Sequence, residues 1–83
     1  MKALEQLESD YAFVKDIIDQ APDKKDFILP LFFEYYQSPD LYEGAIPFQL
    51  WSYREFMRTI GKENAIIPDD LNIEALPPEW LHN

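Results

Sequence analysis

Residues 27–37 read Phe-Ile-Leu-Pro-Leu-Phe-Phe-Glu-Tyr-Tyr-Gln, and the conformation of this stretch decides the fold class. Its apolar members are Phe27, Ile28, Leu29, Leu31, Phe32, Phe33, Tyr35 and Tyr36. Polar and apolar residues do not alternate, so a strand here would bury both faces. A helix accounts better for the exceptions. Pro30, Glu34 and Gln37 fall at i, i+4 and i+7, on one narrow edge of a helix. Asp26 is placed to act as N-cap, which sets Pro30 near the end of the first turn, where its missing N–H costs least. The stretch reads as a helix nearly surrounded by other protein. The competing reading is a buried strand.

Towards the N-terminus, residues 2–21 read as an amphipathic helix. Leu4, Leu7, Tyr11, Val14, Ile18 and Ala21 form one stripe, widened by Ala3 and Ile17. Pro22 biases Ala21 towards extended geometry and ends the helix. Phe13 lies off the stripe, so a second element covers it or it stays exposed. The short connection to the next helix predicts antiparallel packing of the two.

Towards the C-terminus, residues 38–44 predict a single turn, with Ser38 as cap, Pro39 at the first position and Gly44 as a left-handed stop. Residues 47–60 predict a third main helix. Pro47 suits its first position, Ile46, Leu50, Tyr53, Met57 and Ile60 form its stripe, and Gly61 fits just past its end. Phe48, Trp51 and Phe56 lie off that stripe. In residues 62–83, Pro68, Pro77 and Pro78 divide the chain into short pieces, and Asp69 or Asp70 is placed to cap a brief helix through Leu76. Apolar residues recur here too often for a free tail, so the segment is expected to wrap the helices with Trp80 as an anchor. The fold class is all-α: three main helices plus short helical turns and an ordered proline-rich C-terminal segment. With no internal repeat or linker, residues 1–83 form a single domain.

Composition narrows the function. The 83 residues include six Phe, five Tyr and two Trp, and 47% are apolar, which is too hydrophobic for a disordered tail even at a net charge of −9. Sixteen acids face seven bases, the opposite of the balance a nucleic-acid binder needs. Without cysteine there is no disulfide, thiol catalysis or cysteine zinc site. No signal-peptide core is visible, and the longest apolar run, around residues 27–33, is far short of the roughly 20 residues that span a bilayer. The expectation is a cytoplasmic protein with no membrane insertion.

Chemistry-bearing patterns are few. The single histidine, His82, has no nucleophile at an informative spacing. Asp70-x-Asn72-x-Glu74 opens like a calcium loop, but Ala75 stands where glycine is needed and Leu81 where glutamate is needed. Gly44 and Gly61 make no phosphate cradle. No catalytic residue, metal ligand or cofactor is therefore assigned, and the chain is read as a non-enzyme. Two charge patterns remain. Glu5, Glu8, Asp16, Asp19 and Asp23 form an acidic stripe along the first helix, interrupted by Ala12. Arg54, Arg58 and Lys62 step by four along the third helix, either as a docking edge for an acidic partner or phosphate, or as partners for the chain's own carboxylates.

A domain of this size buries only about 60–65% of its unfolded surface. Broad apolar faces and many aromatic residues therefore predict a surface buried by another protein. The function expected is that of an inhibitor, adaptor or regulatory subunit acting by occlusion. Its partner-binding candidates are Phe13, Tyr35, Tyr36, Tyr42, Phe48, Trp51, Arg54, Arg58 and Trp80. One alternative is an acidic mimic filling a nucleic-acid-binding groove through the stripe, although its charge density is well below that of a duplex, about one charge per 1.7 Å. The other is a self-assembling homo-oligomeric subunit. The short, acidic, aromatic-rich, cysteine-free style resembles that of small phage-encoded proteins that bind host or phage machinery, a likeness that fixes no site.

Overall fold

The helical reading of residues 27–37 holds: in a computed structural model they lie within a helix spanning Lys25–Gln37. The structure describes residues 2–44, 46–64, 66, 67 and 69–82, with the side chains of Lys2, Ala3 and His82 outside that description. The break expected at Pro68, the contribution of Ala3 to the first stripe and the imidazole of His82 thus lie outside the described residues. In chain order the helices are α1 (Lys2–Gln20), α2 (Lys25–Gln37), α3 (Pro39–Tyr42), α4 (Phe48–Thr59) and α5 (Pro78–His82). Two 3₁₀ turns, Pro22–Lys24 and Ile73–Ala75, complete the order, and no strand occurs among the described residues.

The start of α2 differs from the expected one. The 3₁₀ turn Pro22–Lys24 runs directly into α2, so Lys24 takes the N-cap position without a side-chain cap bond, and Asp26 lies inside the helix. Pro30 is therefore a helix-interior proline. The N–H it lacks would have bonded the carbonyl of Asp26, and both residues face solvent, so water can take that place. Glu34 and Gln37 are exposed on the same edge as Pro30, as their spacing predicts.

The face that α1 buries is rotated from the expected stripe. Asp10, Phe13, Val14, Ile17 and Ala21 are buried, whereas Leu4, Leu7 and Tyr11 are 56%, 36% and 48% exposed. Because α1 touches α4 and the turn Ile73–Ala75 as well as α2, burial is drawn round to the Phe13 side. Cross-bonds from Gln6 to Tyr35 and between Tyr36 and Asp10, with the Tyr11–Phe32 ring contact, pair α1 against α2 in antiparallel order.

The α4 face is rotated too. Phe48, Ser52, Tyr53, Phe56 and Met57 are buried, while Ile60 from the expected stripe is exposed. The helix is sandwiched: Phe48 meets Phe32 at 5.5 Å on the α2 side, and Phe56 meets Trp80 at 4.4 Å on the C-terminal side. The buried Ser52 hydroxyl donates to the Gln49 carbonyl, 3.0 Å. Pro47 precedes α4 as its N-cap instead of opening it.

Helix ends show which turn residues matter. Gly61 has φ +80°, with Lys62 N–H donating to Met57 O (2.7 Å) and Gly61 N–H to Arg58 O (3.1 Å), the paired bonds of a Schellman stop. Gly44 is not left-handed. A Cβ there would sit 2.5 Å from the Asp40 carbonyl oxygen, so close backbone approach is what demands glycine. Ser38 caps α3 by backbone position, without a side-chain bond. Asn72, not Asp69 or Asp70, caps the turn Ile73–Ala75, its Oδ1 accepting from Ala75 N–H at 3.0 Å.

The C-terminal segment closes the core with Leu76, Trp80 and Leu81, all buried. Trp80 is the expected anchor, its ring centroid 5.7 Å from Phe27 and 6.3 Å from Tyr53. The Cα radius of gyration, 12.2 Å, is close to the roughly 12 Å of a folded domain of this length, so the segment is packed on, not trailing.

Candidate docking surface

Rotation of α1 leaves an apolar shoulder uncovered. Leu4, Leu7 and Tyr11 keep the spacing of a core stripe, yet they line the outside of the α1–α2 pair. On the α2 side, Phe33 is 57% exposed and Tyr36 half-buried. Leu4, Gln6, Leu7, Tyr36 and Tyr42 together line a groove of about 320 Å³. Its aromatic wall is built from neighbouring elements: Tyr36 of α2 stacks on Tyr42 of α3, with centroids 6.0 Å apart and planes 22° apart.

Two residues of the groove lining, Gln6 and Tyr36, are held by partly buried hydrogen bonds to the layer behind them. The Tyr36 hydroxyl donates to Asp10 Oδ2, and the Tyr35 hydroxyl donates to the Ile46 carbonyl. Gln6 Nε2 donates to the Tyr35 oxygen at 3.2 Å. Burial raises the Asp10 carboxyl above the ordinary range, a shift opposed by hydrogen bonds from Tyr36 and Gln49. Burial raises the Tyr35 and Tyr36 phenols as well, and the Asp10 charge adds to both shifts. Both phenols therefore stay protonated at neutral pH and act as fixed donors. With Gln6 and Tyr36 held this way, the groove is pre-organised.

Asp10 itself lines two other cavities. One, of about 310 Å³, includes Tyr35, Tyr42, Ile46 and Phe48 in its lining. The other, of about 530 Å³, brings Asp10 together with Gln49, Arg54, Asp69 and Asp70. Among the described residues, no three His, Cys, Asp or Glu side chains converge on a metal geometry.

The expected partner-binding residues divide. Tyr36, Tyr42 and Trp51 are half-buried, and Arg54 and Arg58 are exposed. Phe13, Tyr35, Phe48 and Trp80 are buried in the core and do not present their rings. Phe48 of α4 packs its ring on Phe32 and Tyr35 of α2, and Trp80 packs among Phe27, Tyr53 and Phe56, which buries these aromatics between elements. On the basic edge, Arg58 and Lys62 each meet one of the chain's own carboxylates. Arg58 pairs with Glu55 at 3.3 Å and Lys62 with Glu79 at 3.1 Å, while Arg54 lines the 530 Å³ cavity and, together with Arg58, a neighbouring cavity of about 410 Å³. The Glu79 carboxyl is held low by its own backbone N–H and by Lys62. In the acidic stripe Glu5, Glu8, Asp16, Asp19 and Asp23 are all exposed, but Asp23 pairs with the buried Lys24 at 3.5 Å, which breaks the row.

Sequence reasoning missed Asp10, Gln6 and the Leu4–Leu7 shoulder. The signal for Asp10 was present, since it lies three residues after Leu7 and four before Val14, inside the apolar sector. No signal distinguished the shoulder, because its spacing equals that of a core stripe.

No family model matches the chain, and neither a curated protein nor a solved structure matches it. Function therefore rests on the geometry. Among the described residues, no helix is long and apolar enough to cross a membrane.

Proposed function

We propose that this chain is a non-enzymatic interaction domain, an inhibitor, adaptor or regulatory subunit of the cytoplasm that docks another protein on the Leu4–Leu7–Tyr36–Tyr42 groove. The observation that carries the reading is the uncovered apolar shoulder of α1 beside the Tyr36–Tyr42 stack. Apolar side chains at core spacing, left in water beside half-buried aromatics, gain most from being covered by a partner. The held side chains of Gln6 and Tyr36 support the same reading, because a pre-organised groove loses little entropy on binding. The mechanism is steric: the partner surface that enters the groove is no longer open to its other ligands.

The acidic-mimic alternative is less well supported, because Asp23 is ion-paired with Lys24 and the acids lie beside an apolar shoulder. The test is affinity capture from native-host lysate with three baits: wild type, Leu4→Ser/Leu7→Ser and Ile66→Ser. Ile66, 92% exposed and outside the groove, serves as control. A stoichiometric protein held by wild type and Ile66→Ser, but lost with the double variant at high salt as well as low, fits the proposal. A partner held equally by all three baits contradicts it.

A further inference from the structure

We infer that the occupant of the groove is a basic amphipathic helix of another protein, with apolar residues entering between α1 and the tyrosine stack and Lys or Arg on its flanks. This rests on the docking reading above and adds the chemistry of the partner.

Charge at the rim carries the inference. On α1, Glu8 is one helical turn from both Leu4 and Tyr11, and Glu5 adjoins Leu4, so the solvent side of the shoulder is acidic. At the other wall, Asp40 and Glu43 bracket Tyr42 in sequence, and Glu34 lies on the outer edge of α2. All five are exposed, and among the described residues none of them is ion-paired. No lysine or arginine occurs between Lys25 and Arg54, the stretch that supplies the whole tyrosine wall. On the α1 side, Lys2 lies two residues before Leu4, its side chain outside the described residues, and Lys15 stands at the far end, its Nζ 5.6 Å from the Tyr11 ring centroid. An apolar floor between two acidic rims complements an apolar stripe between two basic flanks.

The same charges argue against a second copy of the chain. Two molecules of net charge −9 meeting face to face would set Glu5 and Glu8 of one near acids of the other. The dimensions suit a helix. From Leu4 to Tyr11 the shoulder runs about 10 Å, two helical turns, which matches anchors at i, i+4 and i+7 of a ligand helix.

The experiment uses the full chain, labelled with nitrogen-15, and three designed 18-residue peptides. All carry the same leucines at heptad spacing; the flanks are Lys and Arg in the first, Gln in the second and Glu in the third. The inference expects the basic peptide to shift the amides of residues around Leu7, Tyr36 and Tyr42. Its affinity should fall about tenfold with Leu4→Ser and several-fold with Glu5→Gln/Glu8→Gln or on adding salt. Both variants alter exposed residues, and a thermal melt checks that each is folded.

Equal or tighter groove binding by the Gln or Glu peptide overturns the basic-partner inference but leaves the docking reading standing. Shifts confined to the Asp16–Asp23 region also overturn it, since the peptide is then merely attracted to surface charge. If no peptide perturbs the groove, both readings fall. If sedimentation shows self-association abolished by Leu4→Ser, the groove is a homodimer interface and the inference is again overturned.

Discussion

The hydroxyl of Tyr36 donates to the carboxylate of Asp10, joining residues 26 positions apart and tying α1 to α2 beneath the groove. The acid is 5% exposed, so its charge is held by hydrogen bonds in place of water. Burial raises its pKa in the folded state above that in the unfolded chain. A group of that kind contributes stability that is fully present below the unfolded value and is lost as pH rises through the folded one. At neutral pH the buried Asp10 thus contributes less stability than it does in acid. Asp10→Asn, whose amide oxygen still accepts from Tyr36, should be at least as stable as wild type at pH 7. Its advantage should vanish as pH falls to about 4, the ordinary carboxylate value. Urea denaturation of the two proteins across this range measures the difference, and a pH-independent gap would contradict the account.

Tyr36→Phe should behave oppositely. It removes the donor but leaves the buried carboxylate, at a cost of about 1–3 kcal/mol at neutral pH. Adding Asp10→Asn to that variant should recover part of the loss. A double-mutant cycle reads the coupling directly, and strict additivity would show that the bond contributes nothing.

Trp80→Ala should remove a large share of the fold's stability. Replacing a fully buried Trp with Ala costs about 3–5 kcal/mol, against the 4–12 kcal/mol or so typical of a domain this size. Trp80→Phe should cost much less. It keeps the ring packed among Phe27, Tyr53 and Phe56, and it removes an indole N–H that is buried with no partner among the described residues. Thermal melts followed by circular dichroism rank the three proteins, and equal losses for Ala and Phe would contradict this view of the anchor.

The two glycines should fail differently. Gly61→Ala strains a left-handed residue by about 1 kcal/mol, and Gly61→Asn should restore part of that because Asn tolerates the conformation. At Gly44 the Cβ of any other residue would meet the Asp40 carbonyl oxygen, so Gly44→Asn should be no better than Gly44→Ala. Four denaturation curves test the contrast, and rescue by Asn at both sites would contradict it.

Much of the architecture was legible because particular residues leave one consistent reading. Pro30, Glu34 and Gln37 share a helix edge, which settles α2 over a strand, and Gly61 and Trp80 stand where their local sequence implies. The burial of Phe13 was not legible, nor the exposure of Leu4 and Leu7. Both sets lie at helical spacings, and the choice between them is made by where α4 and the turn Ile73–Ala75 land on α1. That is tertiary information which no local pattern contains. The cap at Asn72 went to one of three neighbouring residues of similar capping chemistry, so propensity alone could not choose. Of the groove, Tyr36 and Tyr42 were anticipated because their rings exceeded what the stripes needed, whereas the α1 shoulder resembled core; behind it, Asp10 sits in the apolar sector of α1 but belongs to a residue type that usually faces solvent.

The contact of Trp80 with Phe27 and Phe56 means that the chain carries its own peptide ligand. Between the end of α4 and Leu71 the backbone runs through exposed positions, among them Gly61, Glu63, Asn64 and Ile66. A protease nick there would turn an intramolecular contact into a bimolecular one. The two fragments would stay together only above a concentration set by the affinity of residues 71–82 for the helical remainder. Melting temperature would then fall as the nicked protein is diluted, as it does not for an intact monomer.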